Sequence, residues 1–176
     1  MGLTISSVLT ASAAAGMALS PATVPTPTSP VANAYVTAFQ ESCLNGLPDL
    51  NSRARNAGSR GWVETSIRPI GPVPAQLAGS LPRVFRRNGM MLFLTAPSGG
   101  EFAQVCQIAS EGGTKLSAAD IIAAAAPIVG DATAVMEKRS GDEGARWMIA
   151  PKRDVFAGVG GPRKVKTLSL VVRDKR

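Results

Sequence analysis

The chain has 176 residues, no histidine, two cysteines, and 19 Lys and Arg against 12 Asp and Glu, for a formal net charge of +7. Without histidine it forms no Ser-His-Asp or Cys-His nucleophile system, has no histidine base and offers no His-ligated metal site. Two cysteines exclude a four-cysteine zinc site or iron–sulfur cluster within one chain. The length suits one domain, and a hydrophobic content of 45% is too high for a wholly disordered chain.

The first charged side chain is Glu41. Residues 1–22 read as a secretory signal peptide, with an apolar, small-residue core but no Lys or Arg in the n-region. Cleavage after Ala22 or after Ala34 fits the small-residue rule. Residues 23–30, rich in Pro and Thr, read as an extended linker. Residues 31–176 then form a single domain. The run is too rich in Ser, Thr and Gly for a permanent membrane span. Export makes a Cys43–Cys106 disulfide the expected state. Closing a loop of roughly 60 residues would contribute about 4 kcal/mol in the chain-entropy model.

Ser29 and Pro30 predict a helix start, and Val36, Phe39, Cys43 and Leu47 predict its buried face. Gly46 and Pro48 should end it. Asp49 caps a second helix over Leu50 to about Ala57, with Gly58 just past its end. A strand begins at Trp62 and Val63. Residues 67–82 carry four prolines and read as a loop. Asn88-Gly89 marks a hairpin turn, so Val84–Arg87, Met90–Thr95 and Glu101–Ile108 read as a three-stranded meander. Phe102, Cys106 and Ile108 are placed on one face of the last strand. Ser117 and Asp120 form a capping box for a helix expected to end near Ala125, ahead of Pro127. Strands are expected at Ala132–Lys138, Ala145–Ala150 and Lys166–Arg173, with Asp142 and Glu143 in a polar turn. No internal repeat is evident. The fold class is α+β: two N-terminal helices, an antiparallel sheet of about six or seven strands, and one buried helix inserted between strand groups.

Charge is uneven. Residues 1–137 hold as many basic as acidic side chains, so the whole +7 falls in residues 138–176. Within this segment, Lys152, Arg153, Arg163, Lys164 and Lys166 flank a Gly-rich stretch and are the expected anion-contacting residues. That stretch matches neither a Walker A loop nor a dinucleotide fingerprint. Arg83, Arg86 and Arg87 are candidates to extend the basic surface. Trp62 and Trp147 are expected in the core, and Met90-Met91 is a poor metal ligand set.

These features point to a small exported, periplasmic or extracellular protein without enzymatic activity. It would bind an anionic envelope component or an acidic protein through its basic C-terminal part. No catalytic residue, metal or cofactor is expected. A cytosolic nucleic-acid-binding module fits the charge but offers few stacking aromatics. A carboxylate-dependent hydrolase is a second alternative, although no pair of acids can be placed face to face from sequence.

Overall fold

The computed structural model describes residues 29–45, 49–66, 81–97, 101–139, 142–160 and 166–176. The expected leader, most of the linker and most of the 67–82 loop lie outside them, as do Arg163 and Lys164.

Helix α1 spans Pro30–Phe39, and the same helical path widens into a π-turn over Gln40–Leu44. Ser29 occupies the N-cap position without a side-chain bond; its carbonyl accepts from Asn33 N at 3.0 Å. Val36, Phe39 and Cys43 are buried as the sequence predicts, with Ala32 added one turn earlier, while Leu47 and the expected stops Gly46 and Pro48 lie outside the described residues. Helix α2 is Leu50–Ser59, and Asp49 accepts from Ser52 N at 2.8 Å. It runs past Gly58. The left-handed residue that ends it is Gly61 (φ +79), because Arg60 N still bonds back to the last turn.

Eight strands form one antiparallel sheet: β1 Val63–Thr65, β2 Arg83–Arg87, β3 Met90–Thr95, β4 Phe102–Ser110, β5 Ala134–Arg139, β6 Asp142–Ala150, β7 Arg153–Gly160 and β8 Thr167–Lys175. Their order is β1-β2-β3-β4-β8-β7-β6-β5. Helix α3, Ala118–Val129, lies between the two strand groups with both halves of its capping box formed. It does not stop at Ala125. Pro127 sits on the exposed side, and burying Val129 while packing Ile128 against the core favours one more turn.

The strand order divides the chain into two similar units. Each is a helix (α2 or α3) followed by four strands, and the units meet at β4 and β8. One register row crosses all eight strands: Thr65, Val84, Phe93, Gln107, Val171, Phe156, Arg146 and Val135. In that row Phe93 and Phe156 hold equivalent places. A duplicated topology is thus present where the sequence shows no repeat.

One face of the sheet carries the helices. Leu92, Leu94, Ile108, Leu168, Leu170, Val172, Val155 and Ala157 point into that layer and are almost wholly buried. Cys43 on the π-turn is bonded to Cys106 on β4, with Cα atoms 5.6 Å apart and a sequence separation of 63. The disulfide therefore ties the helical layer to a central strand. Phe102 does not share the Cys106 face. A bulge between Phe102 and Gln104 turns it to the opposite side, where it pairs with Lys175 and meets Arg173.

The eighth strand is β7, which takes in residues 156–160 of the 156–166 stretch expected as a Gly-rich loop; residues 161–165 lie outside the described residues. Its glycines serve packing. A Cβ on Gly158 would stand 2.5 Å from the Glu143 carbonyl and 2.7 Å from the Phe156 ring. Gly144, its register partner, is blocked by Phe156 in the same way. The phenyl ring lies over both glycines, an aromatic cover that restores the contacts glycine lacks. Because the Glu143 obstacle is backbone, Gly158→Ala should cost about 1–3 kcal/mol, read from urea unfolding. An unchanged midpoint would contradict this packing.

Candidate functional site

Of the five expected anion-contacting residues, the three that are described, Lys152, Arg153 and Lys166, do not come together. Arg153 opens β7 and is engaged internally, and Lys152 is exposed in the turn before it. Lys166 precedes β8 at the other end of the β7–β8 pair, a strand length of roughly 23 Å away. Arg163 and Lys164 belong to the connection at the Lys166 end, outside the described residues.

Arg153 belongs to a closed polar cluster. Arg53 on α2, only 4% exposed, donates to the Cys43 carbonyl at 2.7 Å and to Asp174 at 3.3 Å. Arg153 reaches the same carbonyl at 3.2 Å and Asp174 at 3.2 Å. Two guanidinium groups thus satisfy one helix-end carbonyl and one carboxylate. Burial pushes Arg53 below its ordinary pKa, Asp174 opposes this and Arg153 adds to it. The arrangement holds α2, the π-turn, β7 and β8 together and leaves little charge for an external anion.

Most other arginines are also paired. Arg83 grips Glu64 with two bonds of 2.7 Å. Arg86 meets Glu111 at 3.2 Å. Arg87 meets Glu41 at 3.7 Å and stacks 4.6 Å from the Trp62 ring centre. These three extend no basic surface. Arg146 pairs with Glu137 at 3.0 Å, Arg173 with Asp154 at 2.7 Å and Lys175 with Glu101 at 3.8 Å.

Three exposed lysines make no ion pair among the described residues and share one end of the sheet. Lys138 lies near the end of β5 and Lys166 just before β8. Lys115 joins them because Thr114 N bonds to the Lys166 carbonyl at 2.8 Å. Sequence reasoning missed Lys115, since only the topology brings the α3 approach beside β8.

A second feature lies on the face of the sheet opposite the helices. Glu137, Asp142, Arg146, Phe156, Val171 and Arg173 line a cavity of about 220 Å³. It adjoins a second cavity of about 430 Å³ that shares Asp142 and Phe156 and includes Gln107 and Ser169. Asp142 and Glu143 are strand residues of β6 rather than members of a polar turn, because pairing with β5 starts at Asp142. Trp62 and Trp147 are 3% and 2% exposed and lie in the core, unavailable for stacking. Among the described residues, no three His, Cys, Asp or Glu side chains come together as a metal site, and no helix is long and apolar enough to cross a membrane.

The carboxylates set a pH expectation. The Ser117 and Ser52 amides and hydroxyls hold Asp120 and Asp49 below the usual carboxylate range, and Arg83 does so for Glu64. A depressed folded pKa adds stability above the unfolded value of about 4, and that stability is lost as pH falls through the folded values. No histidine titrates between. Melting temperature should stay flat from about pH 5 to 8 and fall below about pH 4. A step near neutrality in thermal unfolding would contradict this. No protein family, curated protein or solved structure matches the chain.

Proposed function

We propose that the protein is an exported, non-catalytic binding protein of the cell envelope. It contacts an anionic partner through the sheet end bearing Lys115, Lys138 and Lys166. The carrying observation is the contrast in charge pairing. Most described arginines face a local carboxylate or carbonyl, whereas these three lysines are exposed, make no ion pair among the described residues and share one end of the sheet; Lys152, also exposed, stands at the opposite end. An ammonium group on a flexible stem suits diffuse attraction to an anionic surface better than a fixed, paired guanidinium does. The Cys43–Cys106 bond supports an oxidising compartment, in keeping with the leader-like residues 1–22.

The test is sedimentation of the full chain with vesicles of phosphatidylglycerol in phosphatidylcholine. Binding is expected at low salt, and it should weaken steeply as salt approaches physiological strength. Equal recovery with pure phosphatidylcholine vesicles, or none with either, would refute the reading.

A further inference from the structure

We infer that β5 is a pairing edge through which two copies of this chain join their sheets. β5 ends the strand order, and among the described residues β6 is its only strand partner. Proteins protect such an edge by keeping it short, by a bulge, or by a proline or a charge at its centre. The opposite edge, β1, is three residues long. β5 runs six residues without proline, and its register with β6 holds from Ala134 to Arg139 without a shift. Its first three residues, Ala134, Val135 and Met136, are exposed in succession, the two larger ones at 60% and 63%. They present apolar surface on both faces. Met136 stands opposite Ala145 on the helix side, where α3 packs on β6 and β7, and Val135 stands opposite Arg146 on the other side. Single exposed apolar side chains are ordinary, but a consecutive run on an open edge is a template for strand addition.

A second copy fits this edge because the apolar run is complementary to itself. Antiparallel pairing about a two-fold axis normal to the sheet keeps both helical layers on one side and sets each residue against one on the same face. Centred on Val135, it places Val135 against its own copy and Ala134 against Met136. Lys138 then falls opposite Ala132, so the two Lys138 side chains stand about 20 Å apart along the strands. Centring on Met136 would set Val135 against Glu137, and centring on Glu137 would set two carboxylates face to face, which is unfavourable. The contact is isologous and closes as a dimer, whereas a β5-to-β1 contact would leave half of β5 unpaired and propagate as a filament. One added strand pair buries less than the roughly 1,600 Å² of a standard interface, so the dimer is weak and reversible, with a dissociation constant on the order of 100 μM. The inference is independent of the lysine end of the sheet, and its test uses no vesicles.

Sedimentation equilibrium of the full chain from about 10 to 500 μM tests this, with the average mass expected to rise from monomer toward dimer by mass action. Val135→Glu suits the monomer, because its neighbour on β6 is Arg146. Across the axis it sets two carboxylates together, so association should weaken at least about tenfold at a wild-type melting temperature. Mixing Val135→Glu with Val135→Lys chains should restore dimers, because only the Val135-centred register brings the two positions face to face. Val63→Glu, on the opposite edge and beside Arg86, should leave association unchanged. If a Val135 variant melts below wild type, the wild-type mass series and Val63→Glu together decide the matter. A monomer at every concentration, growth past a dimer, or association lost in a folded Val63→Glu variant would each overturn the proposal. So would a folded Val135→Glu variant of unaltered affinity, or folded Glu and Lys variants that stay monomeric when mixed.

Discussion

Replacing Cys43 and Cys106 together by alanine should lower unfolding free energy by about 4 kcal/mol and melting temperature by on the order of 10 °C. The bond closes a loop with a sequence separation of 63 that contains α2 and β1 to β3. In the chain-entropy account, the cross-link removes open conformations from the unfolded ensemble that the folded state would otherwise have to outcompete. Both cysteines are buried, at 0% and 2% exposure, so alanine leaves no unpaired polar group behind. Reducing the wild-type chain should reproduce most of the loss. Urea unfolding of oxidised, reduced and double-alanine protein measures it, and three coincident curves would contradict this account.

The second large effect is expected at Arg173. Its Nε holds Asp154 at 2.7 Å, and Asp154 is wholly buried on the face away from the helices. Asp154 Oδ2 has no partner, so this carboxylate depends on one guanidinium. Arg173→Met would strand it, at a cost of about 3 kcal/mol, the low end for a broken buried pair because Arg173 itself is 19% exposed. Adding Asp154→Leu to that variant should recover most of the loss, since an apolar pair of similar volume needs no solvation. A double variant less stable than Arg173→Met alone in urea unfolding would show that the pair does more than neutralise itself.

Local signals were legible wherever a backbone position demanded a particular residue type. Asn88 (φ 49) and Gly89 (φ 72) form the turn that their order predicts. Ser117 and Asp120 close the capping box. The spacing of Val36, Phe39 and Cys43 gives the buried face of α1, and alternation in Leu168, Leu170 and Val172 gives the buried face of β8. Failures arose where tertiary contacts overrode local preference. Strand β7 was hidden because Gly158 and Gly160 read as loop residues, and only the Phe156 ring across Gly144 and Gly158 explains them as strand. The bulge that turns Phe102 away from Cys106 has no sequence mark. The π-turn at Gln40–Leu44 had none either, although Arg53 and Arg153 meet there on one carbonyl.

The basic segment was legible as a count and illegible as a surface. Composition places the surplus charge in residues 138–176, but strand pairing decides which charges face carboxylates. Arg146, Arg153 and Arg173 are drawn into ion pairs by partners on neighbouring strands. Lys115, outside the segment, is brought to its edge by a single backbone bond.

The most direct test of the central claim compares the two ends of the sheet. Affinity of the full chain for phosphatidylglycerol vesicles should fall about thirtyfold in Lys138→Gln with Lys166→Gln, since each lysine near an anionic surface contributes about 1 kcal/mol. Lys152→Gln, at the opposite end, should leave affinity within about twofold of wild type. A loss shared equally between the two ends, or confined to Lys152→Gln, would contradict a binding surface at Lys115, Lys138 and Lys166.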